Sequence, residues 1–186
     1  YSYEVVSDAE LKKLSCLVNP QGVLAVFEMP PAPTLQLSEL IVALDQVQDP
    51  GNLGTLIRLC DWFGVRQLVC SHDTADVYSP KTVQASMGSL TRVEVFYTDL
   101  PDFLAAASTQ TPVYGAFMDG EDVYKLALPN KGILLMGNEA NGISAAAARW
   151  VSHRISIPQK NRHTASESLN VAMAAAILLS EFKRSY

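Results

Sequence analysis

Residues 41–58 read IVALDQVQDPGNLGTLIR, and this stretch decides the fold. An apolar, strand-like run leads into a Pro-Gly turn, and the turn leads into a helix with apolar residues at helical spacing. We expect Asn52 to cap that helix. Arg58 has two interpretations: an ion pair with Asp61, or a guanidinium that grips a phosphate or ribose. Polar groups at such a junction lie where open α/β sheets bind ligands.

A second junction of this kind spans residues 134–144. Glycines at 137 and 142 let the backbone approach a ligand closely, and Glu139 is the only carboxylate in the loop. The alternative is a surface loop whose Ser144 caps the next helix. Both interpretations stay open for this segment taken alone.

The third junction spans residues 155–171. Thr164 and Glu167 match a capping box, which by itself indicates only the start of a helix. Asn170 indicates more than a helix start. Asparagine is a poor helix former, and this one stands beside an apolar, alanine-rich run. A buried asparagine also needs hydrogen-bond partners. Three such junctions in one small domain predict one composite site.

Along the rest of the chain, strand and helix patterns alternate after residue 35, which is typical of an α/β fold with a mostly parallel sheet and helices on both faces. The predicted strands are 41–47, 65–70, 93–96, 113–117, 132–136 and 154–157, and the predicted helices are 53–63, 82–89, 99–108, 144–150 and 169–184. Before this region we expect a helix over 7–18 and a short strand over 22–27.

The bulk composition fits a folded domain, with 48% hydrophobic and 18% charged residues. No run is long enough for a membrane span. Three cysteines, an odd number without metal-ligand spacing, predict reduced thiols in a cytoplasmic protein, and with three scattered histidines they predict no metal site.

The net charge of −5 is unusual for a protein that binds nucleic acid, because phosphate contacts need lysine and arginine. Any RNA role must therefore use a local basic patch, a groove made by a dimer, or a domain outside this sequence. The C-terminal part offers such a patch, formed by Arg149, Arg154, Lys160, Arg162 and His163.

Together, the three junctions resemble the SpoU (TrmH-type) branch of the SPOUT RNA methyltransferases. The matching motifs are residues 49–54 (DPGNLG) with Arg58, residues 136–143 (MGNEANGI), and residues 155–158 (ISIP) with 168–171 (SLNV). Three motifs in order make the resemblance specific, and it covers the chain from about residue 41 to its end.

The resemblance implies a deep C-terminal trefoil knot, a feature nearly absent from other folds, with S-adenosylmethionine held in the knot and the domain paired as a homodimer. It implies that the functional polar side chains are Asn52, Arg58, Glu139, Ser168 and Asn170. It implies that the cofactor pocket is lined by Met136, Gly137, Asn138, Ile157 and Leu169, mostly through backbone atoms. The loop over 159–167 is longer than the usual connection in the family.

The implied reaction transfers a methyl group to a ribose 2′-hydroxyl of RNA, with ribosomal RNA favoured and transfer RNA as the alternative. In-line placement supplies much of the rate. Arginine rarely gives up its proton, so we expect Arg58 to orient the nucleotide and stabilise developing alkoxide charge. Two other classes stay open: a knotted module that binds RNA or cofactor without turnover, and a nucleotide-binding enzyme of ordinary doubly wound topology.

The expected domain organisation follows from the Pro-rich segment. Residues 29–37 form a stiff linker, and residues 38–186 form the catalytic domain. Residues 1–28 are expected to be the remnant of an upstream substrate-binding domain. Since residue 1 is Tyr, we expect the chain to be a fragment of a longer protein.

Overall fold

The computed structural model describes residues 3–29, 34–159 and 168–184. The α-helices in this part of the chain are α1 (Asp8–Leu14), α2 (Pro50–Trp62), α3 (Pro80–Ser86), α4 (Leu100–Ala107), α5 (Ala145–Ala148) and α6 (Val171–Phe182). The strands are β1 (Leu40–Leu44), β2 (Gln67–Ser71), β3 (Glu94–Thr98), β4 (Val113–Asp122), β5 (Gly132–Met136) and β6 (His153–Ser156). Short 3₁₀ helices cover Ser89–Thr91 and Val123–Lys125.

The chain divides into two compact units, residues 1–32 and 33–186. The first contains α1, which begins at a capping box between Ser7 and Glu10, as expected for that start, and ends earlier than predicted. The strand predicted over 22–27 is wrong: these residues form no strand, and Phe27 is 85% exposed. Residues 3–29 contain no other strand that could supply its hydrogen bonds.

The second unit is built on a six-stranded sheet in the order β3-β2-β1-β5-β4-β6. Every recorded strand pairing is parallel, which confirms the predicted sheet type. β4 is longer than predicted, because it resumes pairing with β6 after a register shift between Ala116 and Glu121. The carboxyl ends of β1, β5, β4 and β6 therefore lie side by side at one edge.

Both faces of the sheet are covered, also as predicted. In β1, Leu40, Val42 and Leu44 point into one core, together with the apolar faces of α2 and α6. The alternate residues Ile41 and Ala43 point into a second core with α4 and α5. α2 and α6 share the first face and pack against each other.

The described residues contain neither a candidate membrane helix nor a cluster of metal-binding side chains. No helix there combines the length and the apolar character that a membrane crossing needs. No group of three or more His, Cys, Asp or Glu side chains within 3–29, 34–159 and 168–184 could hold a metal ion.

Candidate active site

The first junction differs from its prediction in the residue that caps the helix. α2 begins at Pro50, and its cap is Asp49, whose Oδ1 accepts from the Asn52 amide at 2.8 Å. The expected cap, Asn52, is wrong because Asp49 precedes the Pro-Gly pair and proline is well suited to the first helical position. The side chain of Asn52 is thereby available for contacts outside its own helix.

Those contacts join the three junctions. Asn52 Nδ2 donates to Glu139 Oε1 at 2.8 Å, and Asn52 Oδ1 accepts from Asn170 Nδ2 at 3.1 Å. Asn170 caps α6, since its Oδ1 accepts from the amides of Ala172 and Met173. We call Glu139–Asn52–Asn170 the polar chain. Asn170 is exposed and not buried, and its partners are Asn52 and the start of its own helix. The capping box at Thr164 and Glu167 lies outside the described residues.

The loop that carries Glu139 folds back on itself. Asn138 and Gly142 exchange two backbone hydrogen bonds of 2.9 Å. The Asn138 side chain accepts from the amides of Ala140 and Asn141 and donates to the Gln46 carbonyl at 2.7 Å. The Asn138 side chain, predicted to line the cofactor pocket, is therefore also engaged in shaping the loop. Ser144 caps α5, which the alternative interpretation of this loop expected.

The requirement for glycine at residue 137 has a different physical cause from the one we expected. A Cβ atom there would lie 2.2 Å from the Gly142 carbonyl carbon and 2.3 Å from the Ile143 amide nitrogen. Glycine is thus required because the loop's own backbone packs against it, and not only to let a ligand approach.

A cavity of about 620 Å³ lies at the carboxyl ends of β4, β5 and β6. This volume is within the usual range for small-molecule sites. All five predicted cofactor residues and two of the predicted polar residues line it: Met136, Gly137, Asn138, Ile157, Leu169, Glu139 and Ser168. Asn52 and Asn170 are connected to it through Glu139.

Arg58 is the predicted residue that neither lines the cavity nor belongs to the polar chain. It is exposed on α2, six residues after Asn52, which is about 9 Å along the helix axis. The alternative role of Arg58 was an ion pair with Asp61. Asp61 instead pairs with Arg92 at 2.7 Å. Hydrogen bonds from the Arg92 guanidinium lower the pKa of Asp61. Within the described ranges, Arg58 has no recorded ion pair or hydrogen bond.

Sequence reasoning missed the wall that β4 contributes, formed by Ala116, Phe117 and Met118. These residues lie where the register shift loops the strand out. Arg154 stacks over Phe117 at 3.5 Å from the ring centroid and pairs with Asp119. The carboxyl end of the predicted strand 113–117 could have indicated these residues, because ligands bind at the carboxyl ends of parallel strands.

The proposed basic patch is only partly described. Arg154 is neutralised by Asp119, which weakens its expected role as a phosphate contact. The basic residues Lys160, Arg162 and His163 lie outside the described residues. Arg149 is exposed just after α5.

The chemistry of the lining discriminates among ligands. It is mainly apolar, contains the carboxylate of Glu139, and includes no lysine or arginine among the described residues. A dinucleotide pyrophosphate calls for positive charge or a glycine-rich helix start. S-adenosylmethionine has no phosphate and carries a cationic sulfonium, so an apolar cavity with one carboxylate fits it better than it fits a dinucleotide.

Comparison with known proteins agrees with this geometry. Residues 39–180 match the SpoU rRNA Methylase family. A 23S rRNA (guanosine(2553)-2′-O)-methyltransferase, RlmP of Bacillus subtilis, is 35% identical over 162 residues, covering 86% of this chain and 64% of the relative. This chain therefore spans less than two thirds of that relative's length.

Two solved structures are similar as well. A TrmH-family protein from Porphyromonas gingivalis superposes with a TM-score of 0.89 at 44% identity, covering 96% of this chain and 72% of that one. An AdoMet-bound rRNA methyltransferase from Sinorhizobium meliloti superposes with a TM-score of 0.71 at 36% identity, covering 80% and 57%. With a family match over most of its length and three motifs joined by the polar chain, the chain belongs to the SpoU rRNA methylase family.

Proposed function

We propose that this chain catalyses the S-adenosylmethionine-dependent methylation of a ribose 2′-hydroxyl in RNA, with ribosomal RNA as the substrate. The observation that carries the proposal is the polar chain beside a cavity without lysine or arginine in its described lining. Such a cavity suits a sulfonium nucleoside, and the polar chain offers hydrogen-bonding groups next to it. The names of the Bacillus and Sinorhizobium relatives, both rRNA methyltransferases, favour the same substrate.

When bound, S-adenosylmethionine supplies a methyl group already activated by its sulfonium. The protein then mainly has to position the hydroxyl. Asn52 is held from both sides by Glu139 and Asn170, and its amide keeps a second hydrogen and a second oxygen lone pair for a ribose. Ser168 lines the cavity close in sequence to Asn170. The carboxylate of Glu139 or an RNA phosphate takes the hydroxyl proton, and Asn52 and Ser168 hold the hydroxyl by hydrogen bonds.

Arg58 is proposed to bind RNA and to stabilise developing negative charge. Its guanidinium lies in the same helix as Asn52 and has no recorded partner among the described residues. A guanidinium of this kind matches phosphate oxygens in shape and charge. Because it does not line the cavity, it should act on the RNA rather than on the cofactor.

The knot and the homodimer belong to the same proposal. β6 forms one edge of the sheet, while α6 packs against α2, which follows the inner strand β1. The chain lines the cavity beside the loop over 137–142 both after β6, at 157–159, and before α6, at 168–169. We propose that it passes through that loop as a trefoil knot, that the domain forms a homodimer in the cytoplasm, and that residues 1–28 belong to an upstream RNA-binding domain.

The test is a methyl-transfer assay with the natural full-length protein. Ribosomal RNA and transfer RNA from cells that lack the gene are incubated separately with labelled S-adenosylmethionine. Digestion to nucleosides and mass spectrometry then locate the methyl group. The proposal predicts a 2′-O-methylnucleoside in ribosomal RNA. Label in transfer RNA alone would correct the substrate, and cofactor binding without transfer to either RNA would favour the binding module.

A pair of variants makes this test specific for the polar chain. Asn52→Ala removes both of its hydrogen bonds, and we expect transfer to fall about 100-fold, the size typical of losing a positioned donor. Asn130→Ala makes the same substitution at an exposed residue just before β5. This residue lies at the amino ends of the strands, opposite the carboxyl ends that carry the cavity. That control should retain full transfer. Equal activity of the two variants would remove the polar chain from the mechanism.

A further inference from the structure

The geometry points to Asp45 as a positioning residue: its buried carboxylate fixes the loop over 137–144, and thereby sets the place of Glu139 beside Asn52. This inference rests on the proposed function, because it gives that site a further residue. Asp45 does not line the cavity, and it acts through the loop.

The first observation is the burial of a charged side chain. Asp45 follows β1 directly and is only 3% exposed. Its Oδ2 accepts from the Ser144 amide at 2.7 Å, and its own amide donates to the Met136 carbonyl at 2.9 Å. A carboxylate is rarely buried unless it is paired, so this contact has to be maintained in the folded protein. Ser144 ends the loop, and Met136 precedes it.

The second observation is a strained neighbour that holds the other end of the loop. Gln46 has φ of 58°, in the left-handed region that residues other than glycine seldom adopt. In this conformation its carbonyl accepts from Asn138 Nδ2 at 2.7 Å, and its amide donates to Ser71 Oγ at 2.9 Å. Strain of this kind persists where the surrounding contacts impose it.

These contacts form a closed frame. Asp45 and Gln46 hold the two ends of the loop. The same segment also supplies Asn52, seven residues after Asp45, and Asn52 contacts Glu139 in the loop. The short connection from β1 to α2 therefore serves both as the anchor of the loop and as its partner. Release of the Asp45 anchor should loosen Glu139 without opening the sheet.

Two substitution pairs test the anchor. Asp45→Ala removes the acceptor, whereas Asp45→Asn keeps an oxygen at the same place. Ser144→Pro removes the donor at a residue whose φ of −61° suits proline, whereas Ser144→Ala removes only the hydroxyl. Each is measured by amide hydrogen exchange without cofactor and by calorimetry with S-adenosylmethionine, and exchange in β2 and α4 serves as the internal reference.

We expect Asp45→Ala and Ser144→Pro to speed exchange at the amides of residues 139–142 by about tenfold or more, the value of a hydrogen bond to a charged group. Cofactor affinity should fall by a similar factor, and the two conservative variants should stay within about threefold of the wild type. Unchanged loop exchange, an equal rise throughout the sheet, or failure of both disruptive variants to fold would overturn the inference. If the wild type binds no cofactor, the proposed function fails while the exchange data still decide about the anchor.

Discussion

Gly137→Ala is the substitution whose effect can be worked out most directly from the structure. The new Cβ would lie 2.2 Å from the Gly142 carbonyl carbon, whereas ordinary contact begins at 3.4 Å. The two arms of the loop would have to separate by the difference, about 1.2 Å. The paired hydrogen bonds between Asn138 and Gly142, each 2.9 Å, would then exceed bonding distance.

Two backbone hydrogen bonds contribute about 1 to 3 kcal/mol to the free energy of unfolding. For a domain of this size, that loss lowers the melting temperature by about 2 to 12 °C. Because the loop is one wall of the cavity, we also expect affinity for S-adenosylmethionine to fall at least about tenfold. Thermal unfolding and isothermal calorimetry measure the two effects on the same samples.

Gly64→Ala is the matched control. Gly64 has φ of +66° and no atom within 4 Å of the added Cβ, and it lies between α2 and β2, away from the cavity lining. The left-handed conformation costs about 1 to 2 kcal/mol for alanine, so this variant should lose stability without losing cofactor affinity. A Gly137→Ala variant that melts and binds cofactor like the wild type, or an equal loss of binding in both variants, would contradict this role of Gly137.

Three further predictions concern single side chains. Arg58→Ala should slow methyl transfer at least about 100-fold. It should change the free energy of unfolding by less than about 0.5 kcal/mol and leave cofactor affinity unchanged. A parallel loss of cofactor binding in calorimetry would make the role of Arg58 structural. Because a hydrogen bond from Lys81 lowers the pKa of Asp49 below its ordinary 3.8, its stabilisation is present above about pH 4 and lost as the pH falls through the lowered value. Urea unfolding should therefore show Asp49→Asn less stable than the wild type by about 0.5 kcal/mol at pH 7, with no difference at strongly acidic pH; a gap that widens in acid would contradict this. Burial raises the pKa of Cys60 to about 12, so Ellman's reagent at pH 8 should titrate Cys16 alone in the native protein and all three thiols in denaturant; rapid reaction of a second native thiol would show that the core opens.

The sequence predicted the parallel sheet well, because β1 and β5 are short apolar runs bounded by turn residues and every strand of the unit is followed by a recognisable break. It also predicted that three distant junctions would meet, since carboxyl ends of parallel strands share one edge. The resemblance to a family supplied the residues, and the structure supplied the contacts among them.

Local chemistry was harder to assign. Asp49 and Asn52 are both good caps, and only the backbone shows that the helix starts before the Pro-Gly pair. The reason for Gly137 was invisible because it depends on a residue five positions later folding back to it. Asp45 fell inside the predicted strand 41–47, whereas β1 ends at Leu44, and the reason for its burial is a contact with Ser144, 99 residues away.

The most direct test of the central claim is a crystal structure of the full-length protein with S-adenosylmethionine. We expect the cofactor in the cavity between the loops at 137–142 and 156–159, with its sulfonium facing the polar chain and the C-terminal segment threaded through a knot. Cofactor bound elsewhere, or an unthreaded C-terminus with the sulfonium turned away from Glu139 and Asn52, would contradict it.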